Sequence, residues 1–283
     1  MYKVEEISKF VEIANGADRT RRNLCKIGAK LGAVAGAVIL VNLTRSKPAA
    51  AVGPGGPGLN EACDNPANLH NPHCCFMKGT TIRTVDGDCN VEDLAVGDLL
   101  PTMFGGSRPI QWIGRYSFKK SNPSKSWVKD VLPVRIARSA LASNVPHADL
   151  FVTQAHGLFI DGVLVPAGCL INGTTITLYD ARKYNELEFY HIKLENHDVV
   201  YAEGAPCETL LQVDENAANF TEYYRIYGVP TSEPVPCVPL LSYNGARSEI
   251  KSRLRSALSP WIDRREKIDV IRDHLEERGV SLS

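Results

Sequence analysis

Cys75 opens the run Cys75-Phe76-Met77-Lys78-Gly79-Thr80-Thr81-Ile82-Arg83-Thr84, a thiol set just ahead of a β-branched, strand-forming stretch. Downstream, Val152-Thr153-Gln154-Ala155-His156 carries a threonine and a histidine at T-x-x-H spacing, and Tyr190 to Val200 adds His191 and His197. These residue types suit chemistry on the chain's own backbone, at the Cys74–Cys75 bond. A thiol on the β-carbon of residue 75 can close a small ring onto the preceding carbonyl, so its effective concentration is high with no second molecule. Attack moves the acyl group from nitrogen to sulfur, and the resulting thioester reacts readily with water, thiols or amines. The amide nitrogen leaves only once protonated. A histidine held over it has an unperturbed pKa near neutrality and meets that need. A neighbouring threonine orients the histidine, or donates to the carbonyl oxygen as negative charge develops. The chemistry therefore requires a cysteine, a histidine and a hydroxyl to converge on one peptide bond.

Convergence of residues so far apart in sequence calls for a closed β framework. From Cys75 to about Leu211 the pattern is of short strands: Thr80 to Val85 with a hairpin turn at Asp86-Gly87-Asp88, then Val96 to Leu100, Pro109 to Arg115, Leu132 to Ile136, Leu150 to Thr153, Gly162 to Pro166 and Ile171 to Ile176. Turn signals recur about every 10 to 15 residues, which favours an all-β body over βαβ units. Asp180 to Leu187 reads as a short helical turn, and Leu187 to Ala202 as two strands joined at Glu195-Asn196. Beyond residue 231 the period changes. Ile250, Leu254 and Leu258 recur every fourth residue, and Ile262, Ile268, Ile271 and Leu275 continue at helical spacings after Pro260. Two amphipathic helices packed back on the β body are expected, with a partner-binding tail as the alternative.

The chain has 283 residues, with 32 Lys plus Arg against 32 Asp plus Glu. Zero formal charge argues against a nucleic-acid partner, which needs a basic face. Near the N-terminus, Arg21-Arg22 precedes a weakly apolar stretch from Leu31 to Leu43, which is too short to span the roughly 30 Å hydrocarbon layer as a helix. Pro48-Ala49-Ala50-Ala51 follows, offering an A-x-A site. The segment resembles a twin-arginine export signal over residues 1–51, and it implies an exported protein with no stable membrane insertion. Residues 52–74 read as a Gly/Pro linker and turn-rich leader, ending at the bond that Cys75 would attack. Cys63, His70, His73 and Cys74 have zinc-ligand chemistry, but their spacing matches no common site, and neither a metal nor a cofactor is invoked.

In order, these blocks resemble the Hint (Hedgehog/intein) family, in particular its bacterial single-domain branch. The similar stretches are Cys75-Phe76 through Ile82, Val91-Glu92-Asp93-Leu94-Ala95-Val96-Gly97-Asp98, Thr153 with His156, Leu158 to Asn172, and Tyr190 to Gly204. The resemblance spans residues 75–230, with residues 231–283 as a helical tail. It implies an all-β, horseshoe-like fold of two related halves with Cys75, Thr153 and His156 at its centre. By that likeness Cys75 is the acyl-shift nucleophile, and His156 protonates its nitrogen with the help of Thr153. His191, preferred to His197, is the assisting histidine. Two departures narrow the chemistry. Inteins end on a His-Asn pair ahead of a second nucleophile, whereas Tyr201 to Glu208 holds no such pair, so full splicing is not expected. Hedgehog-type domains place a sterol-activating aspartate where this chain has Gly114, so sterol transfer is not expected either.

The resemblance also draws attention to Cys207, read as a redox gate or thiol acceptor for Cys75, with a buried thiol or a bridge to Cys237 as the alternatives. The function expected is single-turnover self-cleavage or acyl transfer at Cys74–Cys75, with the chain's own N-terminal segment as substrate. The alternative from another class is a catalytically silent β domain that acts as an exported binding module.

Overall fold

The computed structural model describes residues 74–120, 122–213, 220–228, 234–241 and 246–282. The expected signal segment and nearly all of the leader lie outside these residues. The chain forms β1 (Phe76–Met77), β2 (Thr81–Thr84), β3 (Gly87–Asn90), β4 (Leu99–Thr102), β5 (Gly106–Pro109), β6 (Trp112–Lys119), β7 (Val134–Ile136), β8 (Leu150–Val152), β9 (Gly157–Ile160), β10 (Val163–Pro166), β11 (Ile176–Leu178), β12 (Glu186–Lys193), β13 (Val199–Ala202) and β14 (Ala205–Glu208). Three helices follow, α1 (Phe220–Tyr227), α2 (Ala246–Leu258) and α3 (Lys267–Leu282). The core is all-β with C-terminal helices, as expected. None of the described helices is long and apolar enough to cross a membrane.

Two six-stranded antiparallel sheets carry the fold, in the orders β11-β7-β8-β1-β12-β6 and β10-β9-β14-β13-β2-β3, beside a small β4-β5 ribbon. The chain passes repeatedly from one sheet to the other, so residues distant in sequence meet where the sheets adjoin. The shortest strand is the most central: β1 lies between β8 and β12, with Phe76 opposite both Val152 and Tyr190. Burial holds so short a strand in place. Phe76 is 1 % exposed, and its neighbours Val152, Phe189 and Ile192 are as deeply enclosed. Each such apolar side chain contributes roughly 1.5–3 kcal/mol on leaving water.

In the second sheet, β13 and β14 form a hairpin whose turn residues Glu203 and Gly204 both have positive φ, 47° and 78°. This is the twist that a two-residue hairpin turn requires. Glu203 fixes the hairpin to β2 through hydrogen bonds from the Thr81 amide and hydroxyl, each 2.6 Å.

Two expectations are corrected. Residues 180–185 contain no helical turn; a tight turn closed by the Tyr184 amide on the Ala181 carbonyl, 3.0 Å, leads straight into β12. The long pairing of β12 with β6, from Glu186–Lys119 to Lys193–Trp112, draws residue 186 onward into strand. The helices also part company. Ile268, Ile271 and Leu275 of α3 enter the main core, whereas Ile250, Leu254 and Leu258 of α2 face solvent, 57–59 % exposed.

Candidate active site

The register of β1 creates the site. Continued one residue toward the N-terminus, it sets Cys75 opposite Thr153 on one side and His191 on the other. The side chains follow that row. The Cys75 amide donates to Thr153 Oγ1 at 2.9 Å, and the Thr153 amide returns a bond to the Cys75 carbonyl at 3.0 Å. Cys75 Sγ lies 3.1 Å from His191 Nε2, within hydrogen-bond reach for sulfur. Both groups are enclosed, Cys75 at 1 % and His191 at 0 % exposure. Three residues separated by up to 116 positions therefore meet around the Cys74–Cys75 peptide, with Thr153 on its nitrogen and His191 on the thiol.

His156 closes the site from the second sheet. The turn Thr153-Gln154-Ala155-His156, held by the His156 amide on the Thr153 carbonyl at 3.1 Å, carries the chain from β8 into β9. The imidazole is fully buried, tilted against the Phe76 ring with centroids 4.4 Å apart. No side chain hydrogen-bonds either ring nitrogen among the described residues. Burial pushes its pKa down to about 4, against the opposing pull of the Glu208 charge and the Cys74 backbone. At neutral pH the ring is uncharged.

The pattern of residue types did not reveal Glu208. This residue ends β14 and is buried, yet ionised: desolvation raises its pKa, and His197, His156 and Cys74 together outweigh that and hold it below the usual carboxylate range. Its Oε1 accepts the Gly157 amide at 2.6 Å, and Oε2 lies 3.4 Å from His197 Nε2. The close approach depends on glycine, because a Cβ at residue 157 would sit 2.8 Å from the Glu208 carboxyl carbon. On the far side of the His197 ring, the Cys237 amide donates to Nδ1 at 3.0 Å. That donor leaves Nε2 to face Glu208, and although burial opposes the charged ring, the Cys237 thiol and the Glu208 carboxylate raise its pKa to about 9. The Cys74 thiol lies between the Ala155 carbonyl, 3.5 Å away, and this carboxylate. A single acidic residue inside an apolar strand was the available signal, since a buried carboxylate must find partners.

Cys207 points elsewhere. It faces the opposite side of β14 from Glu208, is 0 % exposed, and belongs to the main core, whereas Cys75 belongs to a second cluster with Trp112, Tyr116 and Phe189. Cys207 and Cys237 are both thiols, and burial pushes the Cys207 thiol far up in pKa. The structure does not bring Cys207 to Cys75, because strand alternation turns adjacent side chains of β14 to opposite faces.

Gly114 lies directly across from His191. A side chain at that position would meet the Trp112 ring at 2.5 Å, so the indole fills the space that an activating carboxylate would need. Tyr116 sets its ring edge-on to His191, 5.0 Å between centroids, and Tyr223 of α1 covers Trp112 at 5.7 Å. An aromatic wall thus encloses the thiol side of the site. Among the described residues no group of three or more His, Cys, Asp or Glu is placed to hold a metal ion.

Comparison with known proteins agrees with the order of the sequence blocks. The family model described as a Hint domain matches residues 74–214. Similar solved structures include a variant of the gp41-1 intein, 12 % identical over 47 % of this chain and 98 % of the other with a TM-score of 0.33. Two others are the MchDnaB-1 intein, 15 % identical over 47 % and 98 % with a TM-score of 0.31, and the bacterial intein-like domain from Clostridium thermocellum, 13 % identical over 48 % and 96 % with a TM-score of 0.33. No curated protein matches the chain in sequence. Residues 74–214 of this chain belong to the Hint family, a fold with the potential for autoprocessing.

Proposed function

We propose that the protein cleaves its own backbone between Cys74 and Cys75 in a single turnover, releasing the segment that precedes Cys75. The observation that carries this reading is the double engagement of residue 75: its amide rests on Thr153 Oγ1 at 2.9 Å while its thiol lies 3.1 Å from His191 Nε2. His191 takes the thiol proton and Sγ attacks the Cys74 carbonyl carbon. Negative charge develops on the carbonyl oxygen beside His156. The carbon–nitrogen bond breaks as a proton reaches the nitrogen through His156, with Thr153 holding that nitrogen in place. In net terms one proton moves from sulfur to nitrogen and one thioester forms. Water then attacks the thioester carbon, the carbon–sulfur bond breaks, and the thiol and a new carboxylate at Cys74 result. Nothing in this sequence calls for a metal or a cofactor. An exported protein that uses its own N-terminal segment as substrate fits the residues at 1–74.

The test is a time course of intact mass on the full chain, with and without dithiothreitol, beside Cys75→Ala. Loss of the N-terminal segment from the wild type alone supports the reading, and faster loss with dithiothreitol reports the thioester. Loss from both chains, or from neither, overturns it. A second reading, a silent β domain serving as an interaction module, has one observation in its favour. Ile250, Leu254, Leu258, Trp261 and Ile262 form an exposed apolar ridge along and just beyond α2. Two intact chains in the time course would favour that alternative.

A further inference from the structure

We propose that Glu208 is the carboxylate partner of His156: it fixes the His156–Gly157 backbone and supplies the negative charge against which His156 takes up a proton, while His197 holds the carboxylate in position. The assignment rests on the cleavage reading and gives it a residue that the acyl shift alone does not require.

The argument starts from cost. An ionised carboxylate withdrawn from water is expensive unless it is hydrogen-bonded or paired. A structural need to satisfy one buried amide, that of Gly157, could be met by a neutral carbonyl. Here a charge is used, and residue 157 is left without a side chain so that the charge can approach. His156 is the complementary case, a fully buried imidazole with no side chain hydrogen-bonded to either nitrogen among the described residues. Burial alone disfavours the charged form of such a ring. The Glu208 charge is the largest influence acting the other way.

The groups facing Glu208 are His156, His197 and Cys74, with Cys207 next to it on the opposite face of β14. Of these, His197 is fixed by the Cys237 amide as a donor toward the carboxylate, and Cys207 stays a neutral thiol. His156 is left as the base that the charge can serve. Glu208 is therefore a positioning residue, acting through His156 rather than on the reacting atoms, in the manner of a carboxylate that orients a catalytic histidine and stabilises its protonated form.

The test has two arms, both on the full chain. In the first, Glu208→Gln is expected to slow cleavage at pH 7 by roughly ten- to a hundredfold, with Glu208→Asp recovering part of the loss. In the second, the His156 ring is titrated by NMR in the uncleavable Cys75→Ala background. Glu208→Gln is expected to move that titration further to acid, and His197→Phe, which removes both a partner competing for the carboxylate and a ring that itself holds the His156 pKa down, to move it back toward neutrality. A Glu208→Gln chain that cleaves as fast as wild type overturns the assignment. So does a His156 titration that neither substitution moves. If Glu208→Gln does not fold, the Glu208→Asp chain decides: it keeps the charge but withdraws it from the ring, so its His156 titration is expected further to acid than that of wild type, and an unmoved titration overturns the assignment. A wild-type chain that stays intact counts against the cleavage reading, whereas an unmoved titration counts against this one.

Discussion

The Thr153 hydroxyl is the protein atom on the nitrogen of the Cys74–Cys75 bond, and two substitutions separate its chemistry from its shape. Thr153→Val keeps the volume but leaves the buried Cys75 amide with no acceptor there. An unsatisfied buried donor costs about 1–3 kcal/mol. That loss should lower the melting temperature by a few degrees and slow cleavage about tenfold or more, the factor that each 1.4 kcal/mol of lost transition-state stabilisation represents. Thr153→Ser retains the oxygen and should cleave within a few-fold of wild type. Equal rates for Val and Ser would remove the hydroxyl from the mechanism. Gly157→Ala makes a companion case at the other end of the site. The added methyl would lie 2.8 Å from the Glu208 carboxyl carbon, so the carboxylate must retreat from the Gly157 amide. The expectation is destabilisation by about 1–3 kcal/mol, typical of an overpacked core, together with slowed cleavage. Urea melts and mass time courses on the same samples measure both, and an alanine variant as stable and as fast as wild type would show that the close approach is dispensable.

At the scale of elements, the same sequence period produces two helices with opposite fates. Ile271 of α3 is 2 % exposed inside the main core, and Leu254 of α2 is 57 % exposed. Ile271→Ala should cost about 2–5 kcal/mol in urea-induced unfolding, and Leu254→Ala no more than about 0.5 kcal/mol. A large cost at Leu254 would mean that the α2 ridge is covered in solution. The contrast also marks how much could be read in advance. Residue spacing reports a helical period and Pro260 reports a break, but neither says which surface will lie opposite. The β elements were more legible, because β-branched runs bounded by turn residues are local signals. The structure also brings Cys75 into contact with Thr153 and His191, which the ordered sequence blocks single out. Glu208 was not legible, because its significance comes from β14 lying against Gly157, and that pairing joins residues 51 positions apart. The turn before β12 was misread for the same reason: the strand begins where β6 offers partners, not where local propensity changes.

For the whole molecule, the buried histidine and carboxylate make stability depend on pH in a definite direction. His156 has its pKa lowered from 6.5 to about 4 by burial. Below pH 6.5 the unfolded chain binds a proton there and the folded chain does not, so unfolding takes up a proton and stability falls as pH falls. The loss runs across the window from about 6.5 down to about 4 and amounts to on the order of 3 kcal/mol if complete. Glu208, also depressed, adds a loss of the same sign once pH drops below the ordinary carboxylate value of 4.5, where the unfolded chain begins to protonate it first. Above pH 6.5 neither group contributes a slope. Urea unfolding of the uncleavable Cys75→Ala chain at pH 7.5, 6.5, 5.5 and 4.5 should therefore show a decline below pH 6.5, while His197, with its pKa raised to about 9, adds a loss of opposite sign as pH rises above 6.5. His156→Gln, which cannot titrate, should flatten the part of the decline between pH 6.5 and 5, where carboxylates contribute little. A wild-type profile already flat across that interval would mean that the imbalance between folded and unfolded His156 is absent, and with it the need for a counter-charge at Glu208.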